Sequence, residues 1–341
     1  MIKYPSPLKK GDTIGICAPS SGVTGIFLNK LDYAKKNLHN LGYECIETKS
    51  VRQNNKEVSA DSKTRYKEFM SLYKNLEVKA IIPPWGGEFL MDMLPYLDLK
   101  LIEELPPKWI LGFSDTSTLL FILTTNLKVA TAHGPNCLDF GSELIDESVV
   151  EALKILSLDM GSNFSQKSLV KYQKDWFEVK KDLFPSYNLT EKVIWKSLDN
   201  ENHEFTGRLI GGCMDVLCKI IGTPYDNTKN YISQFKEEGI IWYLESCEMN
   251  AGDIYRTLWQ MKENDWFINT NGFLYGRLDG YEDTGDFTYI DAFQKALSDL
   301  NVPVIYDVDL GHKPLQLTFI NGAYAEVKHF GGKGEINQKM K

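Results

Sequence analysis

The sequence predicts an α/β protein with an N-terminal doubly wound, mainly parallel sheet and a smaller C-terminal α/β domain. In the first half of the chain, short apolar runs alternate with segments whose apolar residues recur at helical spacing. That alternation is typical of a parallel sheet with helices on both faces. The length of 341 residues suggests two domains. The content of 43% hydrophobic and 25% charged residues is ordinary for a globular protein.

Several strands are predicted before residue 141, each a short apolar run that ends in turn residues: 12–20, 43–48, 78–87, 108–113 and 128–134. The helix at residues 27–42 repeats apolar residues at helical spacing and stops at Gly42. Two more helices are expected, one at residues 59–75 behind a capping serine or aspartate and one between the last two strands. Helices therefore connect successive strands, as a doubly wound sheet requires.

The segment at residues 141–199 is polar, carries scattered aromatic residues and lacks periodicity. We expect a connecting region with a substrate-facing insertion there, because long irregular segments in compact domains usually carry function. A second set of strands and helices follows, and Asn321-Gly322 between two apolar runs predicts a terminal β-hairpin at residues 315–330. The predicted divisions are an N-terminal domain, a connecting segment and a C-terminal domain: 1–165, 166–200 and 201–341.

Charge and cysteine usage exclude several kinds of partner and site. The net charge of −8 and the pI of about 5.3 argue against a nucleic acid polymer, because phosphate binding needs a basic field. The six cysteines form no C-x-x-C pair and no zinc-spaced cluster, which fits a reducing compartment and predicts no metal or other cofactor. The N-terminus lacks a signal-peptide layout and no run of 18 apolar residues occurs, so we expect a cytoplasmic protein without a membrane partner.

A serine stands at a strand-to-helix turn in the stretch KWILGFSDTSTLLFIL, residues 108–123. Open α/β sheets bind ligands beyond the carboxyl ends of their strands, and a helix N-terminus favours an oxyanion. Ser114 is therefore a candidate nucleophile, although the turn taken alone favours a helix N-cap. The turn is also not the G-x-S-x-G motif of α/β-hydrolases, because Thr116 stands where the second glycine would be.

A nucleophilic serine needs a base, and the base needs an orienting carboxylate. Two of the five histidines, His133 and His312, follow predicted strands, and the sequence favours neither strongly as the base. Glu245 closes the apolar strand at residues 239–246, where a carboxylate is costly to bury unless it is paired. It is the candidate orienting group, with a solvated strand end as the alternative.

Backbone N–H donors near the serine are also needed, to stabilise the oxyanion of an acyl-transfer reaction. The pair Gly86-Gly87 follows the strand at residues 78–87 and allows the backbone to approach a ligand closely. The amide of Asp115 directly follows the serine. These amides are the candidate donors, and a plain tight turn is the alternative for the glycine pair.

Together, these features resemble the serine peptidase family of LD-carboxypeptidases and microcin C self-immunity peptidases, over nearly the whole chain. The matching stretches follow in the family's order and approximate spacing: GDTIGICAPSS, PPWGGEF, LGFSDTSTLL, HGPN, GRLIGG, WYLES and DLGHKP. The resemblance implies a triad of Ser114, Glu245 and His312, and thereby chooses His312 over His133. It also implies a site between the domains, a homodimer, and three backbone donors to the oxyanion: Gly86, Gly87 and Asp115.

The microcin C immunity branch is the more similar of the two. Trp85 stands where murein-type LD-carboxypeptidases commonly have an arginine before the glycine pair. The long middle segment, with Trp176 and Trp195, resembles the immunity branch, in which an aromatic residue of this region stacks on the nucleobase of the substrate. Trp195 is the best positional match for that residue, with packing at an inter-domain surface as the alternative.

The resemblance implies a serine carboxypeptidase-type hydrolase that needs no cofactor. Its expected reaction is hydrolysis, through an acyl-enzyme, of an amide or peptide bond near the carboxyl end of a small peptide or aminoacyl-nucleotide conjugate. The alternative within this class is a murein tetrapeptide LD-carboxypeptidase of cell-wall recycling. The alternative of another class is a non-catalytic α/β protein that binds a small ligand and uses Ser114 only as a helix cap.

Overall fold

The structure is a computed structural model, and it describes residues 1–174 and 186–341. Within that part the helices are α1 (Phe27–Asn40), α2 (Ser62–Lys74), α3 (Leu99–Glu104), α4 (Ser117–Leu127), α5 (Glu147–Leu156), α6 (Met214–Leu217), α7 (Thr228–Gln234), α8 (Ala251–Glu263) and α9 (Tyr289–Leu297). The strands are β1 (Thr13–Ile16), β2 (Glu44–Glu47), β3 (Val78–Ile81), β4 (Trp109–Gly112), β5 (Thr131–His133), β6 (Asn163–Lys167), β7 (Lys171–Tyr172), β8 (Glu191–Lys192), β9 (Lys196–Ser197), β10 (His203–Cys213), β11 (Ile240–Glu245), β12 (Thr270–Gly276), β13 (Val304–Val308), β14 (Phe319–Asn321), β15 (Tyr324–Phe330) and β16 (Lys333–Lys339).

The N-terminal sheet has six strands in the order β14-β5-β4-β3-β1-β2. The strands from β1 to β5 pair in parallel, and β14 pairs antiparallel at the edge beyond β5. Every residue of β4 is buried, as expected of a strand in the middle of a covered sheet. The order confirms the doubly wound N-terminal domain, and the carboxyl end of β4 lies at the edge where such sheets bind ligands.

The C-terminal sheet has eight strands in the order β6-β16-β15-β10-β11-β12-β13-β9. The central strands β10 to β13 are parallel, and the strands on both sides of them are antiparallel. Glu245 is the last residue of β11, and His312 lies in the loop that follows β13. Both residues therefore leave the carboxyl-end edge of the same parallel strands, which confirms an α/β architecture for the second domain.

The predicted hairpin at residues 315–330 is wrong. β14 pairs with β5 of the N-terminal sheet, whereas β15 pairs with β10 and β16 of the C-terminal sheet. Asn321-Gly322 thus carries the chain from one sheet to the other, with Gly322 at φ = +90°. The side chain of Asn321 is buried at this crossing, where it accepts from the Tyr243 hydroxyl and a backbone N–H of β10 and donates to the Thr131 hydroxyl.

The predicted domain divisions remain predictions, but two strands bear on them. β6 spans the division at residue 165 and pairs with β16, at one edge of the C-terminal sheet. β9, from the predicted connecting segment, pairs with β13 at the other edge. Both edges of the C-terminal sheet are therefore built from chain that precedes residue 201. Across the described ranges, no helix is long and apolar enough to cross a membrane.

Helix α4 packs between the two domains directly behind the turn of Ser114, the candidate nucleophile. All of its residues except Asn126 are buried. Phe121 stacks on Trp242 of β11 and on Trp266, with ring centroids 6.2 and 5.1 Å apart. Buried aromatic pairs of this kind contribute about 0.5–1.5 kcal/mol each beyond the burial of their area. The turn before α4 is thus held against β11, the strand that ends in Glu245.

Candidate active site

Ser114 stands at the turn that directly follows β4. Ser114 begins a short 3-10 helix, Ser114–Thr116, and α4 starts directly behind it. Its φ of +62° lies in the left-handed region that residues with a side chain rarely adopt, and such strain is concentrated at functional sites. The helix N-cap position belongs to Thr116, which makes no side-chain capping bond. Ser114 is therefore not the cap of α4.

Three side chains from both domains form one hydrogen-bonded chain. His312 Nδ1 lies 2.8 Å from Glu245 Oε2, and His312 Nε2 lies 3.0 Å from Ser114 Oγ. Because an ionised carboxylate can only accept, Nδ1 carries the proton and Nε2 of the neutral ring accepts from the serine hydroxyl. The arrangement is that of a nucleophile, its base and the group that orients the base.

Glu245 is enclosed by glycines. The residue is fully buried, and Oε1 has no hydrogen-bond partner among the described residues. A Cβ at Gly276 would lie 2.9 Å from Glu245 Cβ, and a Cβ at Gly311 would lie 2.8 Å from Oε2. These two glycines therefore leave the space in which the loop of His312 packs against the carboxylate.

The electrostatics of His312 follow from its position. Burial by itself lowers the pKa of an imidazole, but the Glu245 carboxylate and the neighbouring Cys247 together outweigh burial and hold the pKa of His312 well above its ordinary range. The rings of Phe113 and His312 meet edge to face, with centroids 5.1 Å apart. The carboxylate thus stabilises the imidazolium that forms when this histidine takes a proton.

His133, the other candidate base, is not in reach of Ser114. It is fully buried at the end of β5, where Nδ1 lies 3.5 Å from Ser117 Oγ. Burial lowers its pKa to about 3, so it is a neutral core side chain. The geometry thus agrees with the choice of His312 that the family resemblance implied.

The predicted donor loop lies against the serine. A Cβ at Gly86 would lie 2.7 Å from Ser114 Cβ and Oγ and 2.9 Å from the Asp115 amide nitrogen. Gly87 adopts φ = +137°, and a Cβ there would clash with Ser21. Only glycine therefore lets this loop approach the serine and the amide that follows it, as backbone donors to an oxyanion must.

The carboxylate of Asp115 holds the same loop in place from behind. It is buried, and it accepts from the Ser20 hydroxyl at 2.5 Å and from the Leu90 N–H at 2.8 Å. Leu90 lies three residues after Gly87, so one side chain ties the turn of Ser114 to that loop. Burial raises the pKa of Asp115 to about 6, although both hydrogen bonds favour the ionised form.

A cavity of about 650 Å³ opens above Ser114 and His312. One part of its wall is aromatic: Phe27 and Trp85 meet edge to face, with centroids 5.1 Å apart, and Phe113 lies beside the histidine. The indole N–H of Trp85 donates to a backbone oxygen, which fixes the ring plane. The cavity is large enough for a small-molecule ligand.

The remainder of the wall is acidic. Among the described residues that line the cavity there is no lysine or arginine, whereas four carboxylates line it: Glu57, Glu88, Glu248 and Asp279. Burial, together with the neighbouring charges of Glu248, Asp215 and Glu57, raises the pKa of Glu88. The cavity therefore has a negative field that favours a positively charged group.

The structure contradicts the predicted stacking role of Trp195. Its ring is 1% exposed and packs in the core of the C-terminal domain, against Gly334 and away from the cavity. Its indole N–H donates to the Asp309 carboxylate at 2.9 Å. A ring with both faces covered cannot stack on a nucleobase. Trp176, the other tryptophan of the middle segment, lies outside the described residues.

Sequence reasoning missed several residues of the cavity wall. Asn136 lines the cavity, and its side-chain oxygen accepts from the Phe113 N–H at 3.2 Å. Asp279 lines it too, shortly after β12. Both are polar residues that follow strands of a parallel array, a signal that was available in the stretches HGPN and GRLDG. Across the described ranges, no cluster of three or more His, Cys, Asp and Glu could hold a metal ion.

Comparison with known families identifies both domains. Residues 14–134 match the LD-carboxypeptidase N-terminal domain, and residues 206–327 match the LD-carboxypeptidase C-terminal domain. The chain belongs to the LD-carboxypeptidase family. The resemblance found in the sequence is thus confirmed, and the candidate triad draws its residues from both matched domains.

Relatives from both branches of the LD-carboxypeptidase family cover most of the chain. The Microcin C7 self-immunity protein MccF of Escherichia coli is 25% identical over 328 residues, which cover 92% of this chain and 89% of that protein. The Bacillus subtilis protein named "Probable murein peptide carboxypeptidase" is 26% identical over 277 residues, covering 79% and 73%. Identity at this level does not decide between the two branches.

Solved structures of MccF and of an MccF-like protein have the same fold. The MccF-like protein of Bacillus anthracis superposes with a TM-score of 0.83 at 24% identity, covering 99% of each chain. MccF in complex with glutamyl sulfamoyl guanosine gives a TM-score of 0.83 at 21% identity, covering 99% of this chain and 98% of the other. The two-domain α/β fold predicted from the sequence is therefore confirmed.

Proposed function

We propose that this protein is a serine peptidase that hydrolyses an amide or peptide bond near the carboxyl end of a small peptide or aminoacyl-nucleotide conjugate. One observation carries the proposal: Ser114, His312 and Glu245 form a continuous hydrogen-bonded chain, and the serine and histidine face a cavity of about 650 Å³. Membership of a peptidase family supports the same conclusion.

In the first half of the proposed reaction, Ser114 Oγ attacks the carbonyl carbon of the substrate while its proton moves to His312 Nε2. Glu245 keeps the ring oriented and stabilises the imidazolium. The carbonyl oxygen becomes an oxyanion, which accepts from backbone N–H groups: Gly86, Gly87 and Asp115. A single donor of this kind is typically worth about 10²–10³ in kcat.

The tetrahedral intermediate then collapses. The carbon–nitrogen bond breaks, the leaving nitrogen takes the proton from His312, and the acyl group remains as an ester on Ser114. In the second half, His312 takes a proton from water, and the resulting hydroxide attacks the ester. The carbon–oxygen bond to Ser114 breaks, and the serine regains its proton from the histidine. No step requires a cofactor.

Two substrates of this class are supported by different parts of the cavity. The aromatic wall of Trp85 and Phe27 suits a nucleobase, which supports an aminoacyl-nucleotide conjugate. Structures of MccF contain glutamyl sulfamoyl guanosine and aspartyl sulfamoyl adenosine. The acidic wall instead supports a peptide with a free ammonium group, because an acidic aminoacyl group would meet like charges there. A murein tetrapeptide is therefore the second candidate.

Side-by-side turnover separates the two substrates. Wild type and Ser114→Ala are incubated with aspartyl sulfamoyl adenosine and with a murein tetrapeptide, and the products are identified by mass spectrometry. We expect hydrolysis of one substrate by wild type and a loss of about 10⁴-fold or more in Ser114→Ala. Near-normal hydrolysis by that variant would exclude Ser114 as the nucleophile.

A fluorophosphonate probe tests the alternative of a non-catalytic ligand-binding protein. The proposal expects the wild type to be labelled, and expects labelling to be lost in both Ser114→Ala and His312→Ala. Absence of labelling in folded wild-type protein would favour the binding protein, because a serine without an activating base does not react.

We also propose a homodimer and a cytoplasmic location. Both are supported by the family resemblance, and the location is further supported by cysteines that are free and mostly buried in the described structure. Light scattering on purified full-length protein should give a mass near twice the 38.9 kDa of the chain. A mass of one chain at micromolar concentration would rule out a stable dimer.

A further inference from the structure

His312 lies in the middle of a loop, residues 309–315, that leads from β13 towards β14. Its position relative to Ser114 depends on how this loop is held. The loop begins at Asp309, which is fully buried, and it packs against Glu245 through Gly311. The contacts that fix both ends of the loop therefore decide whether the histidine reaches the serine.

One buried guanidinium bonds to the loop on both sides of the histidine. Arg277, 4% exposed, follows β12. Its Nη1 donates to Asp309 Oδ1 at 2.6 Å, before the histidine in sequence. Its Nη2 donates to the carbonyl oxygens of Leu315 at 2.7 Å and Lys313 at 3.3 Å, after the histidine. Arg277 and Asp309 thus close the loop around His312.

The second carboxylate oxygen of Asp309 reaches a different part of the chain. Oδ2 accepts from the Leu169 N–H at 3.0 Å and from the Trp195 indole N–H at 2.9 Å. Both donors belong to the segment at residues 166–200. The guanidinium of Arg277 also lies over the ring of Tyr172, 4.4 Å from its centroid. The pair therefore connects the middle segment to the loop of the histidine.

We propose that Arg277 and Asp309 are positioning residues that hold His312 within hydrogen-bond reach of Ser114, and that Trp195 affects catalysis through Asp309. The proposal rests on the function proposed above. The sequence predicted that Trp195 contacts the substrate directly; here Trp195 acts instead on the position of His312, through Asp309. It also accounts for a buried ion pair that lies outside the cavity wall and takes no part in the chemical steps.

The geometry makes arginine specific at this position. A planar guanidinium can bind a carboxylate and two carbonyl oxygens at once, whereas an ammonium is a single point on a flexible stem. In Arg277→Lys the positive charge remains, but the side chain can no longer bond to the loop both before and after His312. A misplacement of about 1 Å at a catalytic group can cost on the order of 10²-fold. We therefore expect kcat to fall roughly 10²-fold.

The Michaelis constant should respond much less, because neither residue of the pair lines the catalytic cavity. We expect KM to change by less than about threefold in Arg277→Lys and in Asp309→Asn, since the interaction lost acts on the base and not on bound substrate. Trp195→Phe keeps most of the ring volume and removes only the indole N–H. It should lower kcat by roughly three- to tenfold, again with little change in KM.

Arg208→Lys is the matched control. Arg208 lies in β10 of the C-terminal sheet, is equally buried at 4% exposure and pairs with Glu238. Its guanidinium also bonds to the backbone oxygens of Gly322 and Lys341 and to the Tyr4 hydroxyl, all outside the loop of His312. This variant should lose a comparable amount of thermal stability while kcat stays within about twofold, because a distant ion pair does not orient the base.

The experiment compares the rate of fluorophosphonate labelling, kcat and KM for the four variants in full-length protein, with thermal unfolding to confirm folding. Slower labelling and lower kcat in Arg277→Lys, with both retained in Arg208→Lys, support the proposal. Folded Arg277→Lys and Asp309→Asn with wild-type rates would overturn it. If those two fail to fold, Trp195→Phe decides: an unchanged kcat overturns the proposal, and a lowered kcat supports it. Wild type that is not labelled at all contradicts the proposed function instead.

Discussion

Substitution of Gly86 by alanine tests the donor loop most directly. The added Cβ would lie 2.7 Å from Ser114 Cβ and Oγ, whereas ordinary van der Waals contact begins at 3.4 Å. The two groups must therefore move apart by about 0.7 Å (3.4 − 2.7). The neighbour is the turn of Ser114, in which the next two residues, Asp115 and Thr116, are buried. A shift of this size at the reacting atoms costs on the order of 10²-fold in kcat, or about 2.7 kcal/mol.

Steady-state hydrolysis and the rate of fluorophosphonate labelling measure this loss, with thermal unfolding as the check on folding. Gly252→Ala is the control, because a Cβ at this position in α8 meets nothing closer than 3.3 Å. It should keep wild-type activity. Full activity in folded Gly86→Ala would refute the inference that this loop must lie against Ser114.

Three other changes have defined outcomes. Because His312 must be neutral to take the serine proton and Glu245 raises its pKa, kcat/KM should rise with pH through a value above the ordinary 6.5. Glu245→Gln should move this rise of kcat/KM to lower pH and reduce kcat roughly 10³-fold or more. A rise at the same pH as in the wild type would contradict the pairing of Glu245 with His312. The pKa of buried Asp115, raised to about 6, means that the folded state binds more protons than the unfolded state between about pH 4 and 6. The free energy of unfolding should therefore fall by up to about 3 kcal/mol as the pH rises across that range. Asp115→Asn should remove this fall, as measured by urea titrations. Trp85→Ala should lower kcat/KM for a nucleotide conjugate by about 10-fold or more and spare a peptide; equal losses for both would argue against stacking.

Much of the candidate site could be predicted because it depends on one regularity. Parallel strands place the residues after their carboxyl ends at a common edge, so Ser114 after β4, Glu245 at the end of β11 and His312 after β13 were all detectable from apolar runs. That regularity could not decide between His133 and His312 as the candidate base. Both follow strands, and only the docking of the second sheet decides which ring meets the serine.

Trp195 shows where pattern reasoning fails. A tryptophan in a polar segment looks exposed when only its neighbours in sequence are considered. Its cover comes from residues far along the chain, since Gly334 of β16 leaves the space for the ring and Asp309 accepts its N–H. Burial of this kind is set by long-range strand pairing, and local periodicity carries no information about it.

The hairpin prediction failed for a related reason, and the correction explains how the site is assembled. An Asn-Gly pair between apolar runs is a strong hairpin signal when the two strands pair with each other. Here β14 joins the N-terminal sheet and β15 the C-terminal sheet, and Asn321 bonds to side chains of both. The chain directly after the loop of His312 is thus paired to β5, whose neighbour β4 leads to Ser114. This exchange of a strand links the two sheets beside the loop of His312, the candidate base, whose Nε2 lies 3.0 Å from Ser114 Oγ.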